Sequence, residues 1–149
     1  MKHWQSGLMA LLTMTTSVAA PHTVRLASGQ TVVVASGQGE PQSIGSYSIR
    51  LYAPASTPAF ALDDFLSGLI RPRDGTLSRV SVMRLDPHNA PMVVVTMQSA
   101  GSGGYLAADA YSVGETHLTL RTCVRGLRPR RNLGTALRQA LYAPAACGQ

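Results

Sequence analysis

Short runs of alternating apolar and polar residues, separated by turn-forming residues, dominate the chain from position 23 onward. This pattern is typical of half-buried strands in an all-β sandwich or barrel. The predicted strands are residues 23–27, 31–35, 43–52, 76–85, 92–97, 105–113 and 117–122. Val93, Val94 and Val95 leave no polar position to face solvent, which predicts a central strand. We therefore expect a mainly β protein, an antiparallel β-sandwich of about eight strands.

Two segments have apolar residues at helical spacing instead. In residues 61–70 these are Leu62, Phe65, Leu66 and Leu69. In residues 132–142 they are Leu133, Leu137 and Leu141. Asn132 precedes the second segment and is a favourable N-cap residue. The spacing predicts a short helix at each segment, so one or two short helices should accompany the strands.

The first nineteen residues have the layout of a secretory signal peptide. Lys2 provides the basic start, an apolar stretch runs from Leu8 to Val18, and the small residues Ala19 and Ala20 suit a signal peptidase. The apolar stretch is shorter than the roughly 20 residues of a membrane span. The predicted organisation is a signal peptide at residues 1–19, with cleavage after Ala19 favoured over cleavage after Ala20, and a single domain at residues 20–149 without a membrane span.

Removal of that leader leaves a basic chain with 12 arginines, no lysine and 7 acidic residues. Two cysteines remain, Cys123 and Cys147, and an exported chain with two cysteines is predicted to form one disulfide. Closing a loop of this size stabilises by roughly 3 kcal/mol. The cysteines have no histidine at ligand-like spacing, and residues 86–89 are typical of an Asx turn. We predict neither a metal site nor a cofactor.

A glycine-rich segment at residues 99–104 interrupts two predicted strands. It contains Ser99, Gly101, Ser102, Gly103 and Gly104, and Tyr105 follows it. Glycines in this pattern allow positive φ angles or the close approach of another surface. The sequence predicts a thin turn that presents the Ser102 hydroxyl at its tip and the Tyr105 side chain at its exit.

Known catalytic arrangements do not fit this segment. Ala100 stands where a G-x-S-x-G nucleophile elbow around Ser102 needs glycine. The segment also lacks the lysine of a phosphate-binding loop. The adjacent carboxylates Asp63 and Asp64 would point in different directions on the predicted helix, unlike the facing pair of a glycosidase. We therefore predict that the protein is not an enzyme and that the loop enters a binding partner. A hydrolase that uses Ser102 as its nucleophile is the least favoured of the functional interpretations.

A cluster of arginines near the C-terminus leaves one alternative function open. Its members are Arg121, Arg125, Arg128, Arg130 and Arg131. Few aromatic residues lie among them and an exported domain seldom meets nucleic acid, so no nucleic-acid partner is predicted. The alternative is a periplasmic envelope-binding module that uses this arginine-rich face on anionic glycan or lipid.

The loop and two further blocks occur in a recognisable order behind the predicted signal peptide. The blocks are Gly45-Ser46-Tyr47-Ser48-Ile49-Arg50-Leu51-Tyr52, Arg71-Pro72-Arg73-Asp74-Gly75 and Ser102-Gly103-Gly104-Tyr105. The last block matches the pattern S-G-x-Y. In these blocks the chain resembles bacterial periplasmic inhibitors of invertebrate-type (i-type) lysozyme.

This resemblance implies a periplasmic β-sandwich whose partner is an i-type lysozyme. The sequence is compatible with either a monomer or a homodimer. The resemblance also implies that Ser102 and Tyr105 inhibit by entering the active-site cleft, where their hydroxyls hydrogen-bond the catalytic carboxyl groups. Gly103 and Gly104 would allow the close approach. The partner-binding residues predicted in this way are Ser99, Gly101, Ser102, Gly103, Gly104 and Tyr105.

Overall fold

The structure is a computed structural model that describes residues 19–143 and Cys147. The predicted signal peptide, up to residue 18, lies outside the described residues. The first sheet contains β1 (His22–Arg25), β2 (Thr31–Ser36), β3 (Ile44–Tyr52) and β4 (Phe65–Asp74). The second contains β5 (Thr76–Met83), β6 (Met92–Gln98), β7 (Leu106–Val113) and β8 (Leu118–Leu127). Neighbouring strands pair antiparallel, which confirms the predicted mainly β fold of about eight strands.

The main core lies between the two sheets, where alternate residues of each strand point inward. Tyr47 and Ile49 of β3 pack there against Val93 and Val95 of β6, and all four side chains are fully buried. Burial of this apolar surface is the main stabilising contribution to the fold.

A helix covers the outer face of the second sheet. This explains why β6 is apolar on both of its faces. Leu137 of helix α1 (Leu133–Leu141) packs against Met92 and Val94. Alternate residues of β6 therefore face either the sheet-to-sheet core or the helix, and the predicted central strand is confirmed. Asn132 caps α1 by accepting a hydrogen bond from the backbone N of Thr135 at 2.9 Å, as the sequence predicts.

The disulfide prediction is also confirmed. Cys123 of β8 is bonded to Cys147, with Cα atoms 5.6 Å apart. The bridge ties the segment beyond α1 to the strand beneath it. Within the described residues, no helix is long and apolar enough to cross a membrane.

The predicted helix at residues 61–70 is wrong. The chain forms one 3₁₀ turn at Pro58–Phe60 and then enters β4, which pairs with β3 from Phe65 opposite Tyr52 to Asp74 opposite Ile44. The spaced apolar residues do not form one buried face, because Phe65 is 56% and Leu69 37% exposed. Nine residue pairs between β4 and β3 therefore outweigh a weak helical preference that Gly68 reduces further.

The strands follow one another up and down, so the connections alternate between two ends of the sandwich. We call one the loop end, and its connections are residues 37–43, 75, 99–105 and 128–132. We call the other the far end, and its connections are residues 26–30, 53–64, 84–91 and 114–117. The glycine-rich segment predicted to meet a partner lies at the loop end.

Candidate functional site

The glycine-rich segment forms a tight turn between β6 and β7. At its base, the backbone N of Ser99 donates to the carbonyl oxygen of Tyr105 at 2.8 Å. At its tip, the backbone N of Gly104 donates to the carbonyl oxygen of Gly101 at 3.2 Å. Gly104 has a φ of +56°, a conformation that residues with a side chain rarely adopt. Ser102 is therefore held at the exposed tip of a closed turn.

The ring of Tyr105 packs over the backbone of this turn. A Cβ atom built on Gly103 would overlap the Tyr105 ring, so the observed ring position requires glycine there. Tyr105 is 46% exposed, and no described residue hydrogen-bonds to its hydroxyl or to that of Ser102. The turn thus brings together two exposed hydroxyl-bearing side chains with unoccupied hydrogen-bonding groups.

A buried arginine holds the neighbouring connections in place. Arg73 is only 4% exposed. Its guanidinium donates to the carbonyl oxygens of Pro41 (2.9 Å), Gln42 (2.7 Å), Ser46 (3.2 Å) and Gly75. Gly75 lies directly against β6, because a Cβ atom there would overlap the carbonyl group of Gln98. Arg73 therefore fixes the backbone that supports the base of the loop.

Glu40 completes this support on the side of the connection at residues 37–43. Its carboxylate accepts hydrogen bonds from the backbone N and, at 2.8 Å, from the hydroxyl of Ser46. It also lies 3.9 Å from the guanidinium of Arg73. The bonds from Ser46 hold the pKa of Glu40 below its ordinary value. The sequence indicated residues 71–75 through a resemblance, but the roles of Arg73 and Glu40 depend on connections that only the fold brings together.

A second polar cluster lies buried between the sheets beneath the site. Asp109 of β7 is fully buried, accepts a hydrogen bond from the Tyr47 hydroxyl at 2.5 Å and lies 2.6 Å from the Arg125 guanidinium. The hydroxyls of Tyr47 and Tyr111 are also 2.5 Å apart. Burial raises the pKa of Tyr111 to about 12 and raises that of Tyr47 as well. This cluster links the two sheets and was not predicted.

The structure divides the predicted arginine cluster. Arg125 is engaged by Asp109 and by the carbonyl oxygen of Ala108 at 3.1 Å. Arg128, Arg130 and Arg131 lie instead in the exposed connection next to the loop. The Arg125 guanidinium is therefore engaged within the fold, whereas the other three arginine side chains are exposed.

The turn at residues 86–89 is an Asx turn, as its sequence indicates. The Asp86 carboxylate accepts hydrogen bonds from the backbone N of His88 at 2.9 Å and from the side chain of Asn89 at 2.5 Å. The bond from His88 contributes most to lowering the pKa of Asp86. Among the described residues, no group of three or more histidines, cysteines and acidic residues is arranged to hold a metal ion.

Comparison with known proteins agrees with the resemblance in the three sequence blocks. The family model described as periplasmic lysozyme inhibitor of I-type lysozyme matches residues 19–141. The solved structure of such an inhibitor, PliI from Aeromonas hydrophila, is 39% identical with a TM-score of 0.74, and the match covers 80% of this chain and 99% of that chain.

A solved complex of Aeromonas hydrophila PliI with Meretrix lusoria lysozyme matches as well. It is 40% identical with a TM-score of 0.74, and the match covers 80% of this chain and 96% of that chain. No curated protein matches the chain. The family match spans most of the sequence, and the chain therefore belongs to the family of periplasmic inhibitors of I-type lysozyme.

Proposed function

We propose that the chain is a non-enzymatic inhibitor that blocks the active-site cleft of an i-type lysozyme with the loop at residues 99–105. The observation that carries this proposal is the closed turn that carries two exposed hydroxyl-bearing residues, Ser102 at its tip and Tyr105 at its exit. Membership of the inhibitor family supplies the class of partner. It also supports export to the periplasm, with residues 1–19 as the signal peptide.

The chemistry of the cleft suits these two side chains. A glycosidase places two carboxyl groups on either side of the bond that it cleaves, roughly 5–10 Å apart. Hydroxyl groups donate charge-assisted hydrogen bonds to carboxylates, and such bonds are stronger than neutral ones. Ser102 and Tyr105 would replace the water and sugar hydroxyls of the substrate. Since they offer no glycosidic bond, the lysozyme cannot cleave them.

The remaining loop residues serve this contact through the backbone. Gly101 and Gly103 have no side chain to keep a cleft wall at a distance, and Gly104 supplies the positive φ that closes the turn. The backbone of Ser99 closes the base of the loop. A loop fixed before binding loses less conformational entropy on association, which favours tight inhibition.

Inhibition assays with loop variants test the proposal. We expect the exported protein to inhibit Meretrix lusoria lysozyme more strongly than chicken-type or goose-type lysozymes. Ser102→Ala and Tyr105→Ala should each raise the inhibition constant by tenfold to a hundredfold, about 1.4 to 3 kcal/mol, because central contacts carry most of the binding energy. The thermal unfolding midpoint should stay unchanged, because both side chains are exposed.

Ser56→Ala and Tyr142→Ala are matched controls, because both residues are exposed and lie at or near the far end. Their inhibition constants should equal that of the parent protein. Failure of the parent protein to inhibit all three lysozyme classes contradicts the proposed function. Unchanged inhibition by both loop variants would place the contact elsewhere on the surface.

A further inference from the structure

Three arginines are presented by a hydrogen-bonded turn at the loop end. The backbone N of Arg131 donates to the carbonyl oxygen of Arg128 at 2.9 Å, which closes a four-residue turn. Pro129 occupies its second position, where the fixed φ of proline favours this geometry. Arg128, Arg130 and Arg131 are all exposed, and no described acidic residue forms an ion pair with them. We call residues 128–131 the arginine turn.

The arginine turn lies directly beside the loop. Leu127, the last residue of β8, pairs with Leu106, the first residue of β7 after the loop. A Cβ atom built on Gly104 would lie 3.5 Å from Cγ of Pro129, within ordinary contact distance. A partner that receives Ser102 and Tyr105 would therefore meet the arginine turn at the edge of the same contact.

The charges of the chain are sorted between the two ends of the sandwich. The loop-end connections carry three arginines and one acidic residue, Glu40, which is paired with the buried Arg73 of β4. The far-end connections carry one arginine and four acidic residues. The positive potential around the loop is thus a local feature and not only a result of net charge.

We propose that Arg128, Arg130 and Arg131 form a second contact surface that steers the loop toward carboxylates at the mouth of the lysozyme cleft. This inference rests on the proposed function. The catalytic carboxyl groups of a glycosidase give its cleft negative charge. Guanidinium groups pair well with carboxylates, and charges at the rim of an interface act mainly by accelerating encounter. The arginine turn accordingly sets the association rate, and Ser102 and Tyr105 set the dissociation rate.

Association kinetics with Meretrix lusoria lysozyme test this division of roles. The test variant is R128Q/R130Q/R131Q. The control variant is R25Q/R84Q/R121Q, which removes the same charge from exposed arginines outside the loop end. Both are measured at about 20 mM and about 500 mM salt, where the Debye length falls from roughly 20 Å to roughly 4 Å.

At low salt the test variant should associate about tenfold more slowly than the parent protein, with a dissociation rate within threefold. The control variant should associate within twofold of the parent. High salt should remove the difference between test and control variants. Ser102→Ala should show the reverse behaviour, with faster dissociation and little change in association.

Equal association rates for the test and control variants overturn the inference. The inference is also overturned if the test variant associates normally with lysozyme but no longer binds isolated peptidoglycan. That result would mean that the arginine turn binds an anionic glycan. These outcomes leave the proposed function intact as long as the parent protein inhibits. An inactive parent protein instead removes the proposed function itself.

Discussion

The loop end and the far end of the sandwich contain four connections each, yet they are held together differently. At the loop end, one buried guanidinium donates to carbonyl groups of three separate segments. At the far end, the amide of Gln30 donates to the carbonyl oxygens of Gly114 and Glu115 at 3.0 and 2.9 Å. The far end also contains the long connection at residues 53–64.

This difference has a physical reason in the proposed function. A loop that enters a cleft must keep its shape, because disorder in the free protein lowers affinity. Arg73 supplies several charge-assisted hydrogen bonds from one rigid planar group. In the proposed mechanism no far-end connection enters the cleft, so none has to keep a fixed shape for binding. The connection at residues 53–64 exposes the side chains of Phe60 and Leu62.

Removing the central group of each end should give the largest contrast. Arg73→Gln removes the guanidinium that donates to four carbonyl groups, among them the buried bond to Gly75, so it should lower the free energy of unfolding by about 3 kcal/mol. It should also raise the inhibition constant about tenfold, because the base of the loop loses its support. Gln30→Ala is the far-end counterpart, with an expected loss of about 1 kcal/mol and unchanged inhibition.

Chemical denaturation and inhibition titrations measure both quantities for each variant. Normal inhibition by a folded but destabilised Arg73→Gln protein would show that Arg73 does not position the loop. Weaker inhibition by Gln30→Ala would remove the distinction between the two ends.

A change in the core between the ends should alter stability alone. Tyr47→Phe removes the hydrogen bond to the buried Asp109 carboxylate and should lower the free energy of unfolding by about 2 kcal/mol. The inhibition constant should not change. If the inhibition constant changes under conditions in which the variant is fully folded, Tyr47 contributes to more than stability, and this prediction is contradicted.

The same cluster predicts a loss of stability in alkali. Burial raises the pKa of Tyr111 in the folded protein to about 12, above the value of about 10 in an unfolded chain. The folded state therefore retains the phenol proton that the unfolded state loses. The free energy of unfolding should fall as the pH rises from about 10 to about 12. Denaturation curves across this range measure the effect, and a flat profile would contradict it.

How much the sequence predicts depends on whether a feature is determined by neighbouring residues or by residues distant in the chain. The turn at residues 99–105 could be predicted because closely spaced glycines favour turns, and Gly104 adopts a positive φ there. The helix predicted at residues 61–70 failed because pairing of β4 with β3 decides the structure there, and that pairing is not local. The hydrogen bonds of Arg73 and the Asp109 cluster were likewise missed, because their partners are distant in sequence.

A pair of glycine variants should give the smallest and most specific effect on the loop. Gly103→Ala places a methyl group where the Tyr105 ring lies, whereas Gly101→Ala meets no atom within 4 Å. The flexible ring can move aside, so stability should change little. The displaced Tyr105 should raise the inhibition constant about fivefold, about 1 kcal/mol, for Gly103→Ala and not for Gly101→Ala. Equal inhibition constants for the two variants would argue against a role for the observed position of Tyr105.

Steady-state kinetics with a soluble oligosaccharide substrate test the central claim most directly. If the loop occupies the cleft, inhibitor and substrate exclude each other on the lysozyme. The apparent KM should then increase linearly with inhibitor concentration while kcat stays constant, and the double variant with Ser102→Ala and Tyr105→Ala should abolish the increase. A lower kcat at unchanged KM would contradict the account, because it would mean that inhibitor and substrate bind the lysozyme together.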